Sequence, residues 1–223
     1  MKYSCVIFDC DGTLLDTLED IASAMNQSLT LHGFPPVPLA AYTEMVGWGI
    51  ERLAKLALPQ EFRSKATRND EIIQAVAADA VNIYNEHPLE KTKPYPGMRE
   101  LLTVLKGRKI KTAVLSNKPE SVLVQVIETL FPAGSFNSIR GERFDGLRKP
   151  DPTLVWDLLA EMDRSPHNTI FAGDSEIDME TARSAGCYPL GVSWGFRPRP
   201  VLETAGAARI IGTPDELLEF WNL

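Results

Sequence analysis

Short apolar segments that each end abruptly in a polar cluster are the feature that most constrains the fold of this chain. They cover residues 3–8, 110–115, 169–172 and 188–192, and helical patterns lie at residues 97–106, 120–130, 152–162 and 177–185. Strands that alternate with helices predict βαβ units and therefore a parallel sheet. Ligands bind such sheets beyond the carboxyl ends of the strands, so we expect the polar clusters to meet in one crevice.

Residues 17–92 interrupt this alternation. The segment is rich in Ala, Leu, Glu and Gln, has helical spacing and contains little that resembles a strand. A Pro- and Gly-containing stretch at residues 93–97 marks its end. The sequence therefore predicts an all-helical insert at residues 17–92, within a core domain made of residues 1–16 and 93–223.

Charge and cysteine content narrow the class of protein. The net charge of −7 argues against broad attraction to nucleic acid or to an anionic membrane, and no apolar run approaches the roughly 20 residues of a membrane span. The N-terminus is charged too soon for a signal peptide. Cys5, Cys10 and Cys187 are scattered and odd in number, which favours a reduced, cytoplasmic setting over a disulfide framework. For the oligomeric state, the sequence is compatible with a monomer and with a homodimer.

Two carboxylates, Asp9 and Asp11, follow the first predicted strand and precede Gly12. Oxygen ligands of this kind suit a hard divalent cation, and Mg²⁺ usually takes one or two carboxylates together with substrate phosphate. The same Asp-x-Asp-Gly pattern also occurs in simple turns and in calcium loops. A calcium loop is excluded, because the positions after Gly12 lack the further ligands that such a loop supplies.

Four ordered clusters closely resemble the motifs of the haloacid dehalogenase (HAD) superfamily. In chain order they are Asp9-x-Asp11-Gly12-Thr13, Ser116-Asn117-Lys118, Lys149-Pro150 and Gly173-Asp174-Ser175-x-x-Asp178. The resemblance spans essentially the whole chain, and the insert resembles the helical cap of that superfamily. It implies an α/β fold: a Rossmann-like parallel sheet core with an inserted all-helical cap domain.

The resemblance also implies catalytic roles. Asp9 would attack phosphorus and form an aspartyl-phosphate, and Asp11 would protonate the leaving group and later activate water. Lys149 would offset the repulsion between Asp9 and the phosphate. Thr13, Ser116 and Asn117 would contact the phosphate.

A Mg²⁺ site is implied at Asp9, Asp174, Asp178 and the backbone carbonyl of Asp11. Taken alone, Asp174 could instead cap the helix that follows it. Lys118 is interpreted as the start of a helix that has Pro119 in its first turn.

Inside the insert, Gly47-Trp48-Gly49 resembles the glycine loop of phosphoglycolate phosphatases, which projects from the cap and contacts substrate. Gly47 and Trp48 are therefore candidate substrate-binding residues. A plain turn between two helices is the alternative. Trp48 replaces the small polar residue often found there, which leaves the exact substrate open.

These observations predict a Mg²⁺-dependent phosphomonoester hydrolase that acts on a small phosphorylated metabolite, 2-phosphoglycolate or a similar compound. Asp11 disfavours the dehalogenases and phosphonatases of the superfamily, which lack that aspartate. A hexose-phosphate mutase resembling β-phosphoglucomutase stays open because it keeps the same core residues, and a pyrophosphatase is a further alternative. From another class, a binding module that keeps the fold without turnover is also open.

Overall fold

The computed structural model describes residues 2–63, 69–143 and 146–221 of the 223-residue chain. The chain divides into two compact units. The core unit comprises Met1–Asp16 and Lys93–Leu223, and the helical unit comprises Thr17–Thr92.

Strands and helices alternate through the core unit, whereas the helical unit contains helices in the part that the structure describes. The strands are β1 (Cys5–Phe8), β2 (Leu15–Asp16), β3 (Lys93–Pro94), β4 (Lys111–Pro119), β5 (Ser138–Glu142), β6 (Thr169–Gly173), β7 (Tyr188–Val192) and β8 (Arg209–Ile211). The helices are α1 (Leu18–Leu31), α2 (Leu39–Met45), α3 (Ile50–Ala57), α4 (Gln60–Arg63), α5 (Asn69–Glu86), α6 (Met98–Gly107), α7 (Glu120–Leu130), α8 (Thr153–Glu161), α9 (Glu176–Ala185) and α10 (Arg199–Thr204). Short 3₁₀ segments cover Pro166–Asn168 and Pro214–Trp221.

A parallel sheet organises the core unit, with the strand order β5-β4-β1-β6-β7-β8 among the described residues. β1 lies near the middle, where Ile7 is opposite Ala113 of β4 and Phe171 of β6. Every residue of β1 is buried, as expected for a strand covered on both faces. A separate antiparallel pair joins β2 to β3.

Helices α8 and α9 cover one face of this sheet. Leu158 of α8 and Ala182 of α9 belong to the same buried cluster as Ile7 and Phe171. Helix α9 begins at a capping box in which the Ser175 side chain accepts a hydrogen bond from the amide of Asp178. This start fixes the helix directly behind the carboxyl end of β6.

In the helical unit, α1 packs against α3 and α5 around buried Met25, Leu53 and Val76. Asp20, in the first turn of α1, accepts hydrogen bonds from the amides of Lys91 and Thr92 and from the Thr92 hydroxyl at 2.7–3.0 Å. The two ends of the unit are therefore tied together by one buried carboxylate.

The predicted α/β class with a parallel sheet is confirmed. β5 was not predicted, because its sequence Ser-Ile-Arg-Gly-Glu is polar and it lies at the edge of the sheet. β4 runs further than residues 110–115 and includes Lys118, so the interpretation of Lys118 as the start of a helix is wrong. None of the described helices is long and apolar enough to cross a bilayer.

Candidate active site

The carboxyl ends of β4, β1 and β6 carry three of the four sequence clusters. These strands are direct neighbours, so residues far apart in the chain meet at one edge of the sheet. Lys149, from the fourth cluster, reaches the same place from the segment between β5 and α8. The expected convergence of polar residues is therefore present within the core unit.

Lys149 is the central cation of this site. Its Nζ donates hydrogen bonds to Oδ1 of Asp9 at 2.6 Å and to Oδ1 of Asp178 at 2.7 Å. Asn117 holds the Lys149 backbone: its Oδ1 accepts from the Lys149 amide at 2.8 Å, and its Nδ2 donates to the Lys149 carbonyl at 3.1 Å. Asn117 thus positions the lysine that contacts the predicted nucleophile.

The ammonium of Lys149 is buried without losing its charge. Burial lowers the pKa of Lys149, but the carboxylates of Asp178 and Asp9 outweigh that effect and leave the pKa above its ordinary value. A lysine with this pKa is protonated throughout the neutral range. It therefore provides a fixed positive charge beside Asp9.

Three buried carboxylates, those of Asp9, Asp174 and Asp178, can each place an oxygen within 4.8 Å of the others. Burial raises the pKa of Asp9 well above its ordinary value, and the charges of Asp178 and Asp174 raise it further against the opposing effect of Lys149. Burial and Asp178 raise the pKa of Asp174 to about 7. When all three carboxylates are ionised, the single positive charge of Lys149 does not balance them, and the cluster carries an excess of negative charge.

This charge excess is the observation that tests whether a metal suits the site. A divalent cation among the carboxylates would relieve their repulsion, and hard oxygen donors are the ligands that Mg²⁺ takes. The donor set present here fits such an ion. Asp178 is the least available of the three, because Lys149 and the amide and hydroxyl of Ser175 donate three hydrogen bonds to its two oxygens.

Asp174 is held from several sides. The Thr13 hydroxyl donates to its Oδ1 at 3.3 Å, and the Phe196 amide donates to its Oδ2 at 2.7 Å. Gly12 and Gly195 flank the carboxylate so closely that a Cβ on either would come within 2.4 Å of an Asp174 atom. Asp174 does not cap α9, since Ser175 occupies that position.

The polar cluster after β7 was expected in the crevice, but the contacts that residues 193–197 make there were not predicted. Besides Phe196, this segment provides Trp194, whose indole N–H donates to the Thr13 carbonyl at 3.0 Å. Its only sequence signal is a glycine beside an aromatic residue at a strand end, which does not indicate what the segment touches. Through these two hydrogen bonds, the segment holds the loop after β1 and the carboxylate of Asp174 in place.

Asp11 has its own lysine. Nζ of Lys118 lies 2.9 Å from Oδ1 of Asp11, and both side chains are largely buried. Ser116 is buried nearby, with its Oγ accepting from the Lys118 amide at 3.3 Å. The Asp11–Lys118 pair was not predicted, because nothing in the local sequence specifies the partner of a lysine at the end of β4.

Residues 6–192 match the family described as haloacid dehalogenase-like hydrolase. The chain belongs to this family. A phosphoglycolate phosphatase of Aquifex aeolicus is 31% identical over 191 residues, which cover 86% of this chain and 85% of that protein. A phosphoglycolate phosphatase of Neisseria meningitidis is 30% identical over 217 residues, with coverages of 96% and 92%.

The fold comparison agrees with this family membership. A crystal structure from Lactobacillus delbrueckii subsp. bulgaricus superposes with a TM-score of 0.88 at 31% identity and covers 99% of this chain and 98% of its own. The prediction that the chain is a phosphatase of the haloacid dehalogenase-like family is therefore confirmed. The catalytic roles assigned to individual residues of this chain stay predictions.

Gly47 and Trp48 belong to the helical unit, between α2 and α3. Both glycines of this loop, Gly47 and Gly49, have positive φ, at 117° and 88°, a conformation that suits glycine. The Arg52 guanidinium lies 4.1 Å from the centroid of the Trp48 ring, which is a cation–π contact. The loop therefore has a defined internal structure, and its contact with substrate stays a prediction.

Proposed function

We propose that this chain is a Mg²⁺-dependent phosphomonoester hydrolase that acts on 2-phosphoglycolate or a similar small metabolite through an aspartyl-phosphate at Asp9. The observation that carries the proposal is the arrangement of Lys149 against Asp9, at 2.6 Å, beside a buried cluster of carboxylates. The curated relatives named phosphoglycolate phosphatase support the choice of substrate.

In the first half-reaction, an oxygen of the Asp9 carboxylate attacks phosphorus as the bond between phosphorus and the ester oxygen breaks. Asp11, two residues along the same loop, gives its proton to the departing oxygen. A carboxylate that approaches a phosphate meets like-charge repulsion of roughly 4 kcal/mol per pair of unit charges at 4 Å and an effective dielectric near 20. Lys149 opposes this repulsion from its position on Asp9.

In the second half-reaction, Asp11 takes a proton from water, and the water oxygen attacks phosphorus. The bond between Asp9 and phosphorus breaks, which releases inorganic phosphate and restores the Asp9 carboxylate and the protonated Asp11 of the first step. When bound at Asp9 and Asp174, Mg²⁺ would supply positive charge to the phosphoryl oxygens. Ser116 and Thr13 are the proposed hydroxyl contacts of the phosphate, and both are buried at this edge of the sheet.

The helical unit is the proposed cap, with Gly47 and Trp48 as substrate contacts. The cytoplasm is the proposed setting, which the three free, buried cysteines support. A Trp48→Ala variant tests the first point: its KM for 2-phosphoglycolate should rise while its hydrolysis of a small aryl phosphate changes little. An equal change for both substrates would count against a role in recognition.

The decisive experiment measures phosphate release from a panel of small phosphate esters by the protein with Mg²⁺. Asp9→Asn should abolish release, and acid-quenched wild-type enzyme should carry phosphate on Asp9 when analysed by mass spectrometry. Asp157→Asn, at an exposed position on α8, is the matched control. Absence of release from every ester would contradict the proposal. Isomerisation of a sugar phosphate with little free phosphate would favour the mutase.

A further inference from the structure

A second buried lysine lies beside Asp11, the proposed proton donor to the leaving group. Lys118 is at the end of β4, with 3% of its side chain exposed, and its Nζ is 2.9 Å from Oδ1 of Asp11. Lys149 instead contacts Asp9 and Asp178. Each aspartate of the first cluster therefore has its own ammonium group, supplied by a different segment of the core unit.

In the proposed mechanism, the two lysines act on different parts of a substrate. Lys149 contacts the carboxylate that attacks phosphorus, so its charge acts on the transferred phosphoryl group. Lys118 contacts the carboxylate that protonates the ester oxygen, and a proton donor of this kind lies about 2.6–3.2 Å from the oxygen that it serves. The ester oxygen and the atoms bonded next to it thus come within reach of Lys118.

We propose that Lys118 determines specificity by binding a carboxylate that the leaving group carries on the carbon next to the ester oxygen. This inference rests on the proposed phosphatase function. An ammonium group has three N–H donors, so one lysine can hold Asp11 and a substrate carboxylate at the same time. The substrate class is phosphate esters of 2-hydroxy carboxylic acids.

Distance makes this recognition selective. A carboxylate on the carbon next to the ester oxygen is two bonds from that oxygen and falls beside the Lys118 ammonium. A carboxylate on a longer chain, or a neutral group at the same place, does not satisfy the same contact. A neutral amide at that place forms no ion pair with Lys118, so the site should discriminate against the neutral analogue.

The test compares 2-phosphoglycolate with 2-phosphoglycolamide, which has the same shape but a neutral amide in place of the carboxylate. The enzymes are wild type, Lys118→Gln, Lys118→Arg and the exposed control Lys106→Gln, all with Mg²⁺. Lys118→Gln should lower kcat/KM for 2-phosphoglycolate about 100-fold and that for the amide only a few-fold, since the lost charge matters only where a carboxylate meets it. Lys118→Arg should restore part of the preference.

If Lys118 only holds Asp11 in place, Lys118→Gln should lower kcat/KM equally for both esters, and that outcome overturns the inference.

Binding gives a readout that does not need turnover. In an Asp9→Asn background, calorimetry should show tighter binding of 2-phosphoglycolate than of its amide, and Lys118→Gln should remove that difference. If the preference for the acid is unchanged by Lys118→Gln, the inference fails even where the phosphatase proposal holds. If wild type hydrolyses neither ester, the phosphatase proposal fails, while the binding comparison still decides the role of Lys118.

Discussion

Lys149 donates a 2.7 Å hydrogen bond to Asp178, the residue that also closes the capping box of α9. One oxygen of Asp178 accepts from Lys149, and the other accepts from the amide and hydroxyl of Ser175. The start of α9 is thereby coupled to the cation beside Asp9. We infer that Asp178 acts chiefly by orienting Lys149.

Asp178→Asn should reduce kcat about 10- to 100-fold with a smaller change in KM, because an amide holds the ammonium less firmly and groups that support a site typically matter by this factor. Steady-state kinetics with saturating Mg²⁺ checks the prediction. The matched control is Asp157→Asn, which is exposed on α8 and should leave kcat unchanged. A fall in Mg²⁺ affinity that accounts for the whole loss would instead make Asp178 a direct metal ligand.

The raised pKa of Asp174 predicts how stability depends on pH without metal. Its folded pKa of about 7 exceeds the ordinary 3.8, so protonation favours the folded state. This contribution is complete below about pH 4 and is lost as pH rises through about 7. In EDTA, the melting temperature should therefore fall between these values.

Mg²⁺ should reverse this loss. At 100 times its Kd, a ligand contributes about 2.7 kcal/mol, which corresponds to roughly 5–10 °C in a chain of this size. The increase in melting temperature should be larger at pH 8 than at pH 5, since protons compete with the metal for Asp174. Asp174→Asn should reduce the pH-dependent fall, to which Asp9 also contributes because its pKa is raised, and should remove the Mg²⁺ response. Equal Mg²⁺ effects at both pH values would contradict the assignment.

Lys149 was placed in the site by the resemblance of the four clusters, because no predicted strand ends before it. The pattern of strands was itself sufficient to place Asp9 and Asp174 together, for a definite physical reason. Parallel strands bring their carboxyl ends to one edge, and polar residues just beyond a buried strand must lie there. The helical insert could be predicted for a similar reason, because its spacing and composition differ from the alternation around it. These features depend on local pattern and on the topology that follows from it.

The unpredicted features depend on contacts between segments with no local signature. The pairing of Lys118 with Asp11 and the hydrogen bond from Phe196 to Asp174 are set by how loops pack beyond the sheet. Asp20 is a similar case, because its sequence position suggests only an acidic residue in the first turn of a helix. Such partners become visible only once the tertiary arrangement is known.

Close packing around Asp174 makes Gly195 sensitive to a single added methyl group. A Cβ there would lie 2.3 Å from both the Asp174 Cβ and the Gly12 carbonyl oxygen. Gly195→Ala should therefore cost about 1–3 kcal/mol of unfolding free energy and weaken Mg²⁺ binding, since overpacking displaces the carboxylate. Gly107→Ala is the control: apart from its chain neighbours and the backbone of its own helix, no atom would lie within 4 Å of its Cβ, and it should be neutral or slightly stabilising. Urea denaturation and Mg²⁺ titration would show whether the two variants differ as stated.

The Asp20 carboxylate predicts a stability effect confined to the helical unit. Asp20→Ala leaves the amides of Lys91 and Thr92 and the Thr92 hydroxyl without their acceptor, which should cost about 1–3 kcal/mol. Glu19→Ala removes an exposed acid from the same helical turn, so it controls for the effect of charge on the helix dipole, about 0.3–1 kcal/mol. Hydrogen exchange at Lys91 and Thr92 should accelerate in Asp20→Ala and not in Glu19→Ala. If the two variants lose the same stability and protect these amides equally, Asp20 acts only through the helix dipole.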